Sequence, residues 1–210
     1  MKLLIVGASG KIGRLLTETA LERGHEVRGL VLDSSKSRDI TDDNLTVVEG
    51  NATDTAVMNH AAQGVDAVIS VLGHNRYTEV EMQSNAMRAL VAAMNKNGIK
   101  RLVSLTGTGV YTAGDMPNLL ERALTGILTF VDTKRAQDGI KHVEVLKDSQ
   151  LDWVVLRTPK HRSGKKVTSY EVTPRLKGFK FYARRPNIVD YLLVLAETSE
   201  LPDRMPVISG

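Results

Sequence analysis

Apolar and polar positions along this chain follow first a strand-like and then a helix-like spacing, over and over. Short segments rich in branched apolar side chains, at Leu3–Val6, Glu26–Leu32, Leu45–Val48, Asp66–Leu72, Arg101–Thr106 and Asp152–Arg157, predict buried strands. Between them the apolar spacing lengthens to that of a helix. Arg14–Arg23 reads as a helix ending at Gly24, and Thr53-Asp54-Thr55 as the cap of another running through Gln63. Val80–Asn97 carries Met82, Met87, Leu90, Val91 and Met94 on one helical face, where methionine fills a core. After a looser stretch with Pro117, a further helix runs to about Lys147. Parallel strands need crossover helices, so this alternation predicts an α/β fold: a doubly wound parallel sheet in three layers.

From Thr158 the pattern changes. Short strands are expected near Val167–Val172 and Phe179–Ala183, then a helix over Ile188–Glu197 and a last strand near Val207. No Pro- or Ser-rich linker sets this part off, so residues 1–210 read as a single domain, with 158–210 as a small region covering a substrate pocket.

The most informative segment lies between the first strand and the first helix: Gly7-Ala8-Ser9-Gly10-Lys11-Ile12-Gly13. Strand, glycine turn and helix together aim free backbone N–H groups at a phosphate. Gly7 permits the tight turn, Gly10 lets a pyrophosphate approach the backbone, and Gly13 allows helix and strand to pack closely. A dinucleotide site is therefore expected, with Gly7, Ser9, Gly10, Lys11 and Ile12 around the phosphates.

In such a sheet the ligand lies across the carboxyl ends of the strands, which nominates the residues that follow each one. After the second strand come Asp33, Ser34, Ser35 and Lys36, where the adenosine ribose is expected. Hydroxyls and the cations Lys36 and Arg38 suit a 2′-phosphate, whereas Asp33 suits a free hydroxyl; NADP (NADPH) is expected over NAD, which stays possible. Asn51 and Ala52 follow the third strand and face the adenine, while Leu72 and Gly73 follow the fourth and pass beneath ribose and pyrophosphate. Ser104 and Thr106 end the fifth strand with hydroxyls toward the nicotinamide side, or with ordinary strand-end hydrogen bonds. Pro159 is placed among the coenzyme contacts.

Composition narrows the chemistry. At 210 residues and 42% apolar, the chain suffices for one well-buried α/β core. With no cysteine, a disulfide framework, a thiol nucleophile and a thiolate metal site are excluded, and no cluster has metal-ligand spacing, so no metal is expected. No segment resembles a membrane span or charged leader, so a cytoplasmic setting without a membrane partner is expected. Net charge is +4, but its distribution is uneven. Ten Lys or Arg fall between Arg157 and Arg185 with Glu171 the only acid; elsewhere acids outnumber bases, 23 to 18. Such a local field draws an anion to a nearby pocket, or is a solvated basic loop. Neither a helix-turn-helix nor an RNA-binding signature accompanies it, so nucleic acid is not an expected partner.

The chain resembles the atypical short-chain dehydrogenase/reductase group of NAD(P)H-binding, NmrA-like proteins, and within it the biliverdin reductase B, or flavin reductase, branch. The likeness rests on Ile5 to Gly13, Asp33 to Lys36, Val65 to Ile69, Leu72-Gly73, Val91 to Met94, and Leu146 to Trp153. It implies a Rossmann-like fold and a nicotinamide coenzyme. Three positions depart from the group. Leu32 stands where an Arg commonly holds the 2′-phosphate, Asn51 where an Asp is common, and Gly107 where the flavin reductase has a serine.

Ordinary members of the wider class use a Tyr four residues before a Lys to move a proton, and no Tyr-x-x-x-Lys occurs here. The nearest relic is Phe130-Val131-Asp132-Thr133-Lys134, whose phenylalanine carries no proton, though Lys134 can reach a coenzyme ribose. Carbonyl–alcohol interconversion by the usual route is therefore not expected. A flavin, quinone or similar conjugated acceptor takes hydride with little help beyond stacking and solvent exclusion, and its anion can be protonated by water. The expected partner is thus a small anionic aromatic acceptor, with Thr106, Lys134 and His161 as candidate catalytic groups and His74 of similar standing to His161. A non-catalytic NADP-binding redox sensor and an assembly scaffold are the alternatives. The protein is expected to be a monomer or weak homo-oligomer.

Overall fold

Each face of the central sheet is built by one half of the alternating positions in its strands. In a computed structural model, described here for residues 1–37, 39–74, 79–116, 119, 133–176, 182–200 and 203–210, ten strands and five α-helices are seen among those residues. The first half runs β1 (Lys2–Val6), α1 (Lys11–Glu22), β2 (Glu26–Val31), β3 (Leu45–Glu49), α2 (Thr55–Ala61), β4 (Ala67–Ser70), α3 (Met82–Lys96) and β5 (Arg101–Gly107). The second half runs α4 (Thr133–Lys147), β6 (Asp152–Thr158), β7 (Lys160–Arg162), β8 (Glu171–Thr173), β9 (Tyr182–Arg184), α5 (Arg185–Glu197) and β10 (Val207–Ser209). A single 3-10 turn, Ser34–Ser37, follows β2.

Eight strands form one sheet in the order β3-β2-β1-β4-β5-β6-β10-β8, and β7 and β9 pair separately. All pairings in the large sheet are parallel except β10 with β8 at one edge. Strand order reverses between β1 and β4, the switch point at which such sheets open a crevice. Side-chain alternation then sorts the core. Leu4, Val6, Val68, Leu102 and Val155 pack with α2, α3 and α4 on one face; Leu3, Ile5, Ile69, Val103 and Val154 pack with α1 and α5 on the other. This is the Rossmann-like, doubly wound arrangement expected from the alternation.

Several boundaries differ from expectation. Helix α1 begins at Lys11 rather than Arg14, because nothing in Lys11-Ile12-Gly13 resists helical geometry once Gly10 has closed the turn. A strand at Lys160–Arg162 was not expected, since its polar residues show no apolar alternation; parallel pairing with β9 makes it a strand. The expected strand at Val167–Val172 is instead Glu171–Thr173, antiparallel to β10 at the sheet edge. Only Tyr182–Ala183 of the Phe179–Ala183 expectation overlaps an observed strand, residues 179–181 lying outside the described residues. No described helix is long and apolar enough to cross a membrane.

Candidate coenzyme-binding site

The chain reverses after β1 through Gly7, whose φ of +88° lies in the left-handed region that L side chains avoid. Two hydrogen bonds hold the turn: the Gly7 and Ala8 N–H groups both donate to Leu30 O, at 3.0 and 3.1 Å. Helix α1 then starts directly over the turn, close enough that a Cβ on Gly13 would lie 2.1 Å from Gly7 O. Its N-cap is Gly10, with no side-chain acceptor for the first-turn amides and no acidic residue in that turn. The other helices on the opposite face are different. Asp54 accepts from Ala56 and Val57 N–H at the start of α2, and Asp138 from Gln83 and Ser84 N–H at the start of α3. Helix α1 thus keeps its amides and positive dipole end for an anion, and the glycines leave room for one to approach.

Beside this turn a cleft of about 200 Å³ opens across the ends of β1, β2, β3 and β4. Gly7, Ser9 and Gly10 form one wall, Leu30 to Leu32 and Gly50 to Ala52 another, and Val71 to Gly73 with Met82 the third. The site fits a dinucleotide: free amides for the diphosphate and an apolar slot for the adenosine. Asn51 Oδ1 accepts from Thr53 N–H at 3.0 Å, leaving its amide nitrogen as the donor available to the slot.

Of the coenzyme residues expected from sequence, Gly7, Ser9, Gly10, Asn51, Ala52, Leu72 and Gly73 line this cleft. Lys11 is exposed in the first turn of α1, while the Ile12 side chain is 7% exposed and packs in the core, so Ile12 offers a phosphate only its backbone. Asp33, Ser34, Ser35, Thr106 and Pro159 are not among the lining residues; Pro159 is buried between β6 and β7. Asp33 Oδ1 accepts from both the N–H and the hydroxyl of Ser35, and Glu49 Oε2 accepts from Ser34 N–H. The backbone of Lys36 belongs to the 3-10 turn, but its side chain, like Arg38, lies outside the described residues. Lining residues not foreseen are Leu30, Val31, Val71 and Met82. Leu32, read from sequence as the end of a buried strand, is instead 72% exposed at the cleft rim.

The expected catalytic groups meet only in part. The Thr158 hydroxyl at the end of β6 lies 2.7 Å from His161 Nε2 and 3.4 Å from Thr106 O, so one side chain joins β5, β6 and β7 at their ends. Burial, reinforced by the charge of Arg185, pushes His161 below the usual imidazole range, so at neutral pH it is uncharged. Helix α4 carries Lys134, whose side chain lies outside the described residues, as do Phe130 to Asp132. Ser104 does not face the coenzyme side. It is 1% exposed and bonds to His142 Nε2 at 2.9 Å, because its alternate position on β5 points it under α4.

The basic stretch also needs correction. Arg157 is fully buried and paired with Asp115 instead of contributing to an open field. Arg162 stacks over Tyr182 at 4.2 Å, and Arg175 lies 3.6 Å from Asp203. Lys160, Lys165 and Lys166 remain as exposed cations, and Lys177 and Lys180 are outside the described residues.

His142 makes a test of this core. Burial pushes it down from 6.5 to about 4, against an opposing pull from Asp138. The folded state therefore holds it neutral while the unfolded chain protonates first. Its contribution is fully present above pH 6.5 and is lost as pH falls toward 4, about 3 kcal/mol in all. Urea unfolding at the two ends of that range should show a smaller acid loss for His142→Gln than for the wild type.

Fold and cleft define a dinucleotide-binding domain, and comparison with known proteins agrees. A sequence profile described as NAD(P)H-binding matches residues 7–197, so the chain belongs to that NAD(P)H-binding family. Its solved structural neighbours include short-chain dehydrogenase/reductase and Rossmann-fold NAD(P)-binding proteins. One from Veillonella parvula, in complex with NADP, superposes with TM-score 0.83 at 19% identity, covering 100% of this chain and 94% of that one. ChuY, an anaerobilin reductase from Escherichia coli, gives TM-score 0.81 at 19% identity, covering 100% and 97%. Among curated relatives, the photosystem II assembly factor Ycf39 of Synechocystis is 29% identical over 106 residues, 49% of this chain and 32% of that protein. The isoflavone reductase homolog IRL of Zea mays is 31% identical over 102 residues, 45% and 32%. Each match thus spans about a third of those relatives' length. Among the described residues no group of three or more His, Cys, Asp or Glu could hold a metal ion.

Proposed function

We propose that this protein is an NAD(P)H-dependent reductase that passes hydride to a flavin, quinone or similar conjugated acceptor, with NADPH the preferred donor. The observation that carries this reading is the uncapped start of α1, closed onto Gly7 and open to a cleft across the ends of β1 to β4. Bound there, the coenzyme supplies a hydride with its electron pair. The chain's part is to grip the diphosphate through α1 amides, seat the adenosine between Leu32 and Asn51, and exclude water at the strand ends. The sequence lacks Tyr-x-x-x-Lys, which favours an acceptor that needs no alcohol proton transfer. The name of the neighbour ChuY, an anaerobilin reductase, is in keeping with such an acceptor. Exposed Lys160, Lys165 and Lys166 suit an anionic one.

The decisive experiment mixes the purified protein with NADPH and follows coenzyme absorbance after FMN, riboflavin or a quinone is added. Oxidation proportional to enzyme is expected. Tight coenzyme binding without oxidation would favour instead a redox-sensing or assembly role, the reading that the likeness to Ycf39 supports.

Coenzyme choice is tested at the ribose end. Lys36→Ala should weaken NADPH with little change for NADH, whereas equal loss for both would place the 2′-phosphate elsewhere. Leu32→Arg adds a guanidinium beside the slot and should tighten NADPH about tenfold relative to NADH, as one charge-assisted hydrogen bond would. Fluorescence titration of both coenzymes checks each.

A further inference from the structure

On the face of the sheet that α2, α3 and α4 cover, a second pocket of about 520 Å³ opens beside the start of β6. Trp153, the second residue of that strand and the chain's only tryptophan, lines it while remaining 7% exposed. The coenzyme cleft lies across the carboxyl ends of the strands, whereas Trp153 stands at the amino end of β6. The two sites share no lining residue. Around Trp153 the fold gathers four separate parts of the chain: Thr112 after β5, Lys147 at the end of α4, Arg175 after β8, and Asp203 and Arg204 ahead of β10.

Two of these cations are already held in place. Arg204 Nη1 donates to Trp153 O at 2.9 Å and to Leu151 O at 3.4 Å, and its guanidinium lies 5.0 Å from the centroid of the Trp153 ring. Arg175 Nη1 donates to Pro174 O at 2.9 Å. Its stem passes over Gly114, where a Cβ would lie 3.2 Å from Arg175 Nε. Anchoring of this kind removes side-chain freedom that an anion would otherwise have to remove on binding. Among the described residues, each guanidinium keeps Nε and Nη2 as uncommitted donors, and neither Lys147 Nζ nor the Thr112 hydroxyl has a protein partner.

Asp203 is the one acid among the described lining residues. It lies 3.6 Å from Arg175, beyond hydrogen-bond length, and the two side chains are 49% and 39% exposed, so this contact binds Arg175 weakly. Three cations against one carboxylate leave the pocket positive, rich in donors and poor in acceptors.

We propose that this pocket binds a small, multiply charged oxyanion, at a site separate from the coenzyme cleft and independent of the hydride-transfer reading. The guanidinium forks of Arg175 and Arg204 present paired N–H donors that match the oxygens of a phosphate or a carboxylate. Lys147 adds a point charge and Thr112 a hydroxyl donor. Bound there, the anion ties the loop after β5 and the segment after β8 to the amino end of β6.

The test titrates the purified protein with sodium pyrophosphate and, separately, with citrate, at an ionic strength fixed with sodium chloride. Trp153 emission is followed, because the only tryptophan reports this pocket and not the start of α1. Calorimetry on the same mixtures gives the affinity where emission does not change. Saturable binding of one probe or both is expected, and which of them binds tells phosphate from carboxylate. Arg175→Gln and Arg204→Gln should each weaken it about tenfold, the loss of one charge-assisted hydrogen bond. Lys147→Gln alters an exposed side chain that packs against nothing in the core; it should weaken binding about threefold, and it decides the matter if an arginine variant fails to fold. Lys96→Gln removes an exposed cation from α3 and should bind as wild type does. No saturable binding by either readout, or wild-type affinity in all the folded pocket variants, would overturn the proposal. An equal loss in Lys96→Gln would also overturn it, since net charge alone would then be drawing the anion.

Discussion

An Arg157→Met variant is expected to lose about 3–5 kcal/mol of stability, a large part of what holds a domain of this size. The guanidinium is fully buried, with Nη1 2.5 Å and Nη2 3.0 Å from the two Asp115 oxygens. Its Nε donates to Met205 O at 2.9 Å, and Nη1 reaches Val110 O at 3.3 Å. Asp115 also accepts from Thr112 N–H and Leu176 N–H. One side chain on β6 thereby fastens the loop after β5, the segment after β8 and the approach to β10. Methionine fills the space but leaves a buried carboxylate with two amides for company.

Burial alone would push the Asp115 carboxyl up; Arg157 and the two amides outweigh it and hold it below the usual carboxylate range. That stabilisation is present above about pH 4, where the unfolded carboxyl ionises, and is lost as pH falls through the folded value. The difference between wild type and Arg157→Met should therefore narrow in acid. Urea midpoints across pH measure it. The double variant Arg157→Met/Asp115→Leu should be more stable than Arg157→Met alone, because the stranded charge is gone. A double variant no better than the single one would mean that the guanidinium's bonds to Met205 and Val110, and not the ion pair, carry the effect.

Gly13→Ala is the second large effect, and its sign is opposite to the usual one. In an open helix interior the change gains about 1 kcal/mol. Here the new Cβ would stand 2.1 Å from Gly7 O and 2.9 Å from Ala8 Cα, both backbone, so α1 must move off the turn. A net loss of about 2–3 kcal/mol is expected, with NAD(P)H affinity down at least about tenfold as the amides lose their aim. Gly10→Ala is the control. Its Cβ would meet only Gly7 O at 3.3 Å, so it should keep the fold and weaken the coenzyme alone. Calorimetric titration and urea unfolding of both variants separate the two causes; wild-type behaviour of Gly13→Ala in both would remove close packing from the account of this turn.

Much of this architecture was legible in the residues because its strands are short, branched and buried on both faces, and because the glycine turn is local. Leu3 to Val6 with Gly7, Gly10 and Gly13 specify strand, reversal and helix start within one stretch of chain, and no distant contact is needed to read them. The polar strand Lys160–Arg162 was not legible, and the edge strand Glu171–Thr173 only at Glu171 and Val172, since pairing partners supply what their side chains do not. The stretch after β2 was only half legible: the hydroxyls of Ser34 and Ser35 can be read, but not that Asp33 and Glu49 already occupy their N–H groups.

By itself, then, the order of amino acids determined the layered sheet, the glycine turn under the start of α1 and the absence of thiol chemistry, all of which follow from local pattern and composition. Tertiary structure alone decided the fate of the isolated polar residues. Arg157 became a buried clasp and not part of a basic surface; Ser104 turned to His142 and not to the cleft. The physical reason is common to both: a charge or hydroxyl taken out of water must be paired, and the partner that pairs it is chosen by folding across the sheet, which no window of sequence contains.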